Sequence, residues 1–191
     1  MTDRAQAADM FENLRGLIFD MLLVTDGRTT ELLETILDEK LGVDVIRQEQ
    51  AGGADRGTEA GDAITAYVRE SVLVGLRSGM PVSHNVALVD SRHVPPALFQ
   101  AIALKQLGIG KAIGANGIAT FRRVLESGTV DFDRAADLFG RPLRLRFPET
   151  KEKVPYKKYA IHFQKEPGIL LLEYYDPRLV QYRLANRGEA E

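Results

Sequence analysis

The feature that most constrains this chain is a pair of apolar runs, residues 63–76 and 82–89, joined by Arg77, Ser78, Gly79, Met80 and Pro81. A short connector carrying glycine and proline closes a hairpin, so these two strands pair antiparallel. A second pair, residues 156–163 and 169–175, meets at Lys165, Glu166, Pro167 and Gly168. Helical patterns lie before and between the hairpins without a strand–helix–strand rhythm. That arrangement predicts an α+β fold built on an antiparallel sheet. With 191 residues, 45% of them hydrophobic, the chain holds enough apolar surface for one well-cored domain spanning 1–191.

The helical signals are local. Ala8, Phe11, Leu14, Leu17, Ile18, Met21 and Leu22 recur at helical spacing and predict an amphipathic helix over 5–23. Thr25, Asp26 and Gly27 stop it. Thr29 or Thr30 then caps a second helix carrying Leu32, Leu33, Ile36 and Leu37, with Gly42 as its exit. Alternation over 43–48 predicts a short strand, followed by a glycine-rich loop over 51–57. Pro95 and Pro96 open a helix over 97–106, because a first helical turn tolerates the missing N–H. A glycine-rich turn is expected over 107–117, a short helix over 120–126, and a polar linker before the second hairpin.

Composition excludes several classes of function. There is no cysteine, hence no disulfide framework, thiolate nucleophile or zinc–thiolate centre, and a reducing cytoplasm fits. The histidines, His84, His93 and His162, show no ligand spacing, so no metal site is expected. Twenty-five basic against 27 acidic residues leave a net charge of -2, too little to draw in nucleic acid. Asp20 interrupts the apolar stretch 17–24, so neither a signal peptide nor a membrane span is expected. Gly108, Gly110 and Gly114 miss both the dinucleotide and the Walker spacing, and no serine sits in a nucleophile elbow. Those glycines form a plain turn, a backbone N–H site close to a ligand anion, or both.

Two charged residues inside apolar strands stand out. Arg69 lies within 63–76; facing inward, it needs a ligand anion or a structural partner. Glu173 ends the run Ile169, Leu170, Leu171, Leu172. Desolvated there, it is a proton donor or acceptor; solvated, it is an ordinary strand-end carboxylate. Lys157 and Lys158 are solvated charges, or they draw in an anionic ligand.

Taken in order, residues 22–30, Tyr67-Val68-Arg69, Leu107-Gly108-Ile109-Gly110 and the stretch from Lys158 to Tyr174 resemble the chorismate lyase family in its compact bacterial and archaeal branch. The resemblance runs over most of the chain. It implies an antiparallel sheet with helical flaps over an internal pocket, and a carbon–oxygen lyase that needs no cofactor. The substrate would be chorismate; the products would be 4-hydroxybenzoate and pyruvate. It further implies that Arg69 holds the ring carboxylate, with Thr29, Ile109, Gly110 and Lys158 assisting, and that Glu173 faces the ring hydroxyl or ether end. Aromatisation supplies the driving force, so positioning and charge placement suffice. Two departures bear on substrate choice. Lysines stand at 157 and 158 where the family often has arginine, and no proline precedes the glycine turn. A non-catalytic domain of the same fold that senses small aromatic acids is the alternative. Lacking a helix–turn–helix segment, it would act through a separate chain. A lyase for a chorismate-derived ether is a third reading.

Overall fold

The computed structural model describes residues 2–51, 66–104 and 107–186. The element order is α1 (Thr2–Val24), α2 (Thr29–Leu37), β1 (Leu41–Ala51), β2 (Ala66–Gly75), β3 (Pro81–Asp90), α3 (Pro96–Ala103), α4 (Ile109–Ala115), β4 (Phe121–Val130), β5 (Val154–His162), β6 (Pro167–Tyr175) and α5 (Leu179–Ala185). Six strands form one antiparallel sheet in the order β1-β2-β3-β6-β5-β4, the α+β architecture expected from the two hairpins. Gly79 turns the first hairpin in the left-handed region, at φ 68, which glycine adopts without a Cβ clash.

Cross-strand register decides which side chains share a face. Val45, Ser71, Asn85, Glu173 and Lys157 stand in one row across β1, β2, β3, β6 and β5. The neighbouring row holds Arg69, Ala87, Leu171 and Tyr159. Two apolar cores flank the polar row. One gathers Phe19 and Leu22 of α1, Leu33 and Leu37 of α2, and Leu179 of α5 against Leu73, Val82 and Tyr175. The other packs Leu98 and Ile102 of α3 and Ile113 of α4 on Val89, Ile161 and Ile169. A third cluster forms around Leu172 and Tyr174, residues of opposite pleat phase from Glu173, and draws in Leu145 and Phe147.

Several local expectations differ from the structure. Neither Thr29 nor Thr30 caps α2: the cap position is Arg28, at φ 53 and without a side-chain cap bond. Asp38, at φ 61, ends α2 in place of Gly42, which lies inside β1 where a Cβ would meet Leu76 at 2.8 Å. The glycine turn contains a full helix, α4, because Ala112 and Ile113 have a core to bury against. Residues 121–130 form an edge strand rather than a helix. The bulge between Val124 and Glu126 adds one residue, so the apolar positions 121, 124 and 125 take on helical spacing. The expected polar linker covers the second sheet face, and α5 was not anticipated. The strand expected over 43–48 extends over all of β1; the loop expected over 51–57 lies beyond Ala51 outside the described residues, as do 63–65 of the first hairpin. Among the described residues, no helix is long and apolar enough to cross a membrane, and no group of side chains could hold a metal ion.

Candidate functional site

Where the two cores on the helical face part, a cavity of about 250 Å³ opens over the polar row. Its floor includes Ser71, Asn85 and Glu173, all buried. Its rim is formed by the first turn of α2 (Thr29, Thr30, Glu31), the first turn of α4 (Ile109, Gly110) and Arg122 of β4. The two helix starts adjoin: a Cβ on Gly110 would lie 3.7 Å from the Thr30 hydroxyl. Neither start has a side-chain cap. The first intrahelical bond of α2 comes from the Leu32 N–H to the Arg28 carbonyl, which leaves the N–H groups of its first three residues without helical acceptors. Those groups carry the positive end of the helix dipole.

Glu173 is held from two sides. The Tyr159 hydroxyl donates to Oε1 at 3.1 Å and the Tyr175 hydroxyl to Oε2 at 2.6 Å. Burial, reinforced by the carboxylate charge, pushes both phenols well above their ordinary range, so both keep their protons and donate. Next to Glu173 in the row, the Asn85 side-chain oxygen is buried without a hydrogen-bond partner among the described residues, and so is Nε of Arg122. Each orphan costs about 1–3 kcal/mol unless a bound group satisfies it. The cavity therefore joins hydrogen-bond donors at its rim to acceptors on its floor.

The solved structures similar to this chain include PhnF from Mycobacterium smegmatis, at 16% identity over 80% of this chain and 64% of that one, with a TM-score of 0.49. The effector domain of the same PhnF gives 14% identity, 80% and 90% coverage and a TM-score of 0.47. The C-terminal domain of the histidine utilization repressor from Pseudomonas syringae pv. tomato gives 15%, 71% and 91%, and 0.40. No family model matches the sequence, and no curated protein matches it. With identities and scores this low, the site is read from its own geometry.

The residues expected at the site divide into two groups. Glu173, Thr29, Ile109 and Gly110 all line the cavity. Arg69 does not. It shares the pleat phase of Ser71 and Leu73, but its guanidinium donates to the Ile102 carbonyl at 3.1 Å and the Leu107 carbonyl at 2.7 Å, tying the end of α3 to the segment before α4. At 1% exposure it is the largest fully buried side chain among the described residues, and desolvation lowers its pKa. Lys158 points the other way, because it pairs with Leu172 and Glu126 one pleat out of phase with Glu173. Its neighbour Lys157 is buried and donates to the Leu22 and Thr25 carbonyls, each at 2.9 Å, and to the Thr29 hydroxyl at 3.4 Å. It thereby fixes the end of α1 and the start of α2 beside the cavity; burial lowers its pKa while Glu173 opposes the shift.

Sequence reasoning missed Arg122, Asn85 and the two tyrosines. Arg122 was hidden by the helical assignment of its strand. Asn85 carried a usable signal, because a carboxamide in the pleat phase of Ala87 and Val89 is a buried polar group awaiting a partner. His84, in the opposite phase, is structural: its Nε2 faces Glu70 Oε1 at 3.0 Å, and its Nδ1 accepts from the Arg146 N–H at 3.2 Å.

Proposed function

We propose that the cavity binds a small organic acid and that the chain acts as a small-acid-binding module of the effector type. The ligand's carboxylate would take the N–H groups of the first turn of α2 and the Arg122 guanidinium; at its other end a hydroxyl would donate to Asn85 or Glu173, and an amine to both. About 250 Å³ falls just below the roughly 300–1,000 Å³ usual for ligand pockets, which suits one substituted ring. 4-Hydroxybenzoate has the required carboxylate and hydroxyl at opposite ends.

The observation that carries binding over turnover is the commitment of the groups a lyase would use. The Arg69 guanidinium already donates to two carbonyls, and both Glu173 oxygens already accept from phenols. Two phenol donors already engaging its oxygens position Glu173 as a hydrogen-bond acceptor at the cavity floor. Elimination of pyruvate from chorismate is the second reading, favoured by the placement of Glu173 in the cavity floor. Incubating the purified chain with chorismate, while titrating a separate sample with 4-hydroxybenzoate, separates the two. Saturable binding of 4-hydroxybenzoate with no pyruvate released supports the module. Equal amounts of pyruvate and 4-hydroxybenzoate, lost in Glu173→Ala, would establish the lyase instead.

A further inference from the structure

Asn85 and Glu173 form an acceptor pair with more capacity than a single hydroxyl can use. They are directly opposed partners on β3 and β6, so their side chains rise side by side from one face of the sheet, about 4.8 Å apart. Both line the cavity floor, and both are more than nine-tenths buried, at 7% and 6% exposure. The Asn85 side-chain oxygen has no hydrogen-bond partner among the described residues. On Glu173 each phenol takes one lone-pair site of one oxygen, whereas a carboxylate offers about four, so both oxygens can still accept.

The next pair in the same pleat phase is Ala87 and Leu171, which is apolar and lines the floor as well. Ile113 of α4 and Ile161 of β5 border the same space. The floor is therefore divided into an apolar strip on which a ring can rest and, beside it, two buried acceptors. A hydroxyl carries one proton, so it satisfies one acceptor and leaves the other unpaired, a mismatch that buried sites discriminate against strongly. Two donors remove the mismatch. Hydroxyls on adjacent ring atoms lie about one hydrogen-bond length apart, and bonds splayed outward from them reach acceptors about 4.8 Å apart. A single amino nitrogen set just above the midpoint of the pair lies about 2.9 Å from each acceptor and has a proton for both.

Building on the small-acid reading of the cavity, we infer that its ligand carries two hydrogen-bond donors at the end remote from the carboxylate, either as hydroxyls on adjacent ring atoms or as one amino nitrogen. Asn85 and Glu173 are then the residues that set specificity, each taking one donor, while the rim holds the carboxylate.

Isothermal titration calorimetry of the full chain with benzoate, 4-hydroxybenzoate, 4-aminobenzoate and 3,4-dihydroxybenzoate tests the donor count. At least one of the last two should bind about tenfold or more tightly than 4-hydroxybenzoate, and the one that gains identifies the head as an amine or a vicinal diol. Asn85→Leu should erase that gain and leave 4-hydroxybenzoate within about twofold, because a lone hydroxyl keeps its bond to Glu173. Asn85→Ala repeats the comparison with a smaller side chain, and thermal melting verifies that each variant folds. A gain that survives both substitutions would place the second donor elsewhere and overturn the inference. So would 4-hydroxybenzoate binding as tightly as both two-donor acids, which would mean that the Asn85 amide turns its nitrogen to the cavity and donates to the single hydroxyl. In that case the small-acid reading stands. Failure of all four acids to bind would remove that reading, and the two-donor ligand with it.

Discussion

Replacing Arg69 by methionine and, separately, Arg122 by methionine should give opposite phenotypes. Methionine keeps most of the volume of the Arg69 side chain but strips donors from the Ile102 and Leu107 carbonyls, which lie 3.1 and 2.7 Å from the guanidinium. Each buried acceptor left unpaired costs about 1–3 kcal/mol, partly offset by relief from burying a charge. The net loss is about 3 kcal/mol, which lowers Tm by roughly 6–12 °C in a domain of this size. Affinity for 4-hydroxybenzoate should change little once the protein is held below its melting range. Arg122→Met removes a cavity-lining guanidinium whose Nε has no partner among the described residues, so stability should hold within about 1 kcal/mol. Affinity should fall roughly ten- to hundredfold, the value of one charge-assisted bond to a carboxylate. Differential scanning calorimetry and isothermal titration calorimetry on both variants give the answer. An Arg69→Met protein that melts like the wild type yet fails to bind would show that Arg69 is the anion anchor and that its carbonyl contacts are incidental.

Other consequences follow from buried contacts. Glu173→Gln removes the charge beneath the cavity while keeping its shape, and binding of 4-hydroxybenzoate measured by titration should weaken about tenfold with the fold intact. Gly168→Ala should destabilise the protein by about 1–3 kcal/mol in urea melts, because a Cβ there would lie 2.6 Å from the His93 carbonyl oxygen and 2.8 Å from Val94. Burial holds His84 below its ordinary pKa of 6.5 against the opposing pull of Glu70, so the unfolded chain gains a proton first as pH falls. Its contribution is complete above 6.5 and declines below it, a slope in urea stability that His84→Gln should flatten. Burial raises Glu34, but bonds from Lys40, the Leu41 N–H and Lys111 outweigh it and bring the carboxyl from 4.5 to about 2. Its contribution is present above 4.5 and lost as pH falls through about 2, so Glu34→Gln should reduce stability at neutral pH and narrow the difference in acid.

The parts of the fold legible in the sequence were those whose signal is local. The hairpins at 77–81 and 165–168 announce themselves because turn residues interrupt apolar runs, and the first helix because seven apolar residues share its spacing. What was not legible depended on partners distant in sequence. Residues 121–130 carry a bulge that imitates helical spacing, and only pairing with β5 makes them a strand. Gly108 precedes α4 and Gly110 lies in its first turn, yet the helix exists because Ala112 and Ile113 find a core. Glu173 was visible as a charge closing an apolar strand. Its two phenol donors were not, since Tyr159 comes from another strand and Tyr175 from the next residue in phase. Arg69 carried the same sequence signal as a ligand-binding arginine, and a buried arginine bound to backbone carbonyls looks identical until Ile102 and Leu107 are in view.

The most direct test of a small-acid site bounded by two helix starts is a ¹H–¹⁵N NMR titration of the labelled chain with 4-hydroxybenzoate. The backbone amides of Thr29, Thr30, Ile109 and Gly110, with the Arg122 Nε–H, should shift together along one saturable curve. Saturation without movement of these resonances, or no saturation by this acid at millimolar concentration, would contradict the assignment of the cavity.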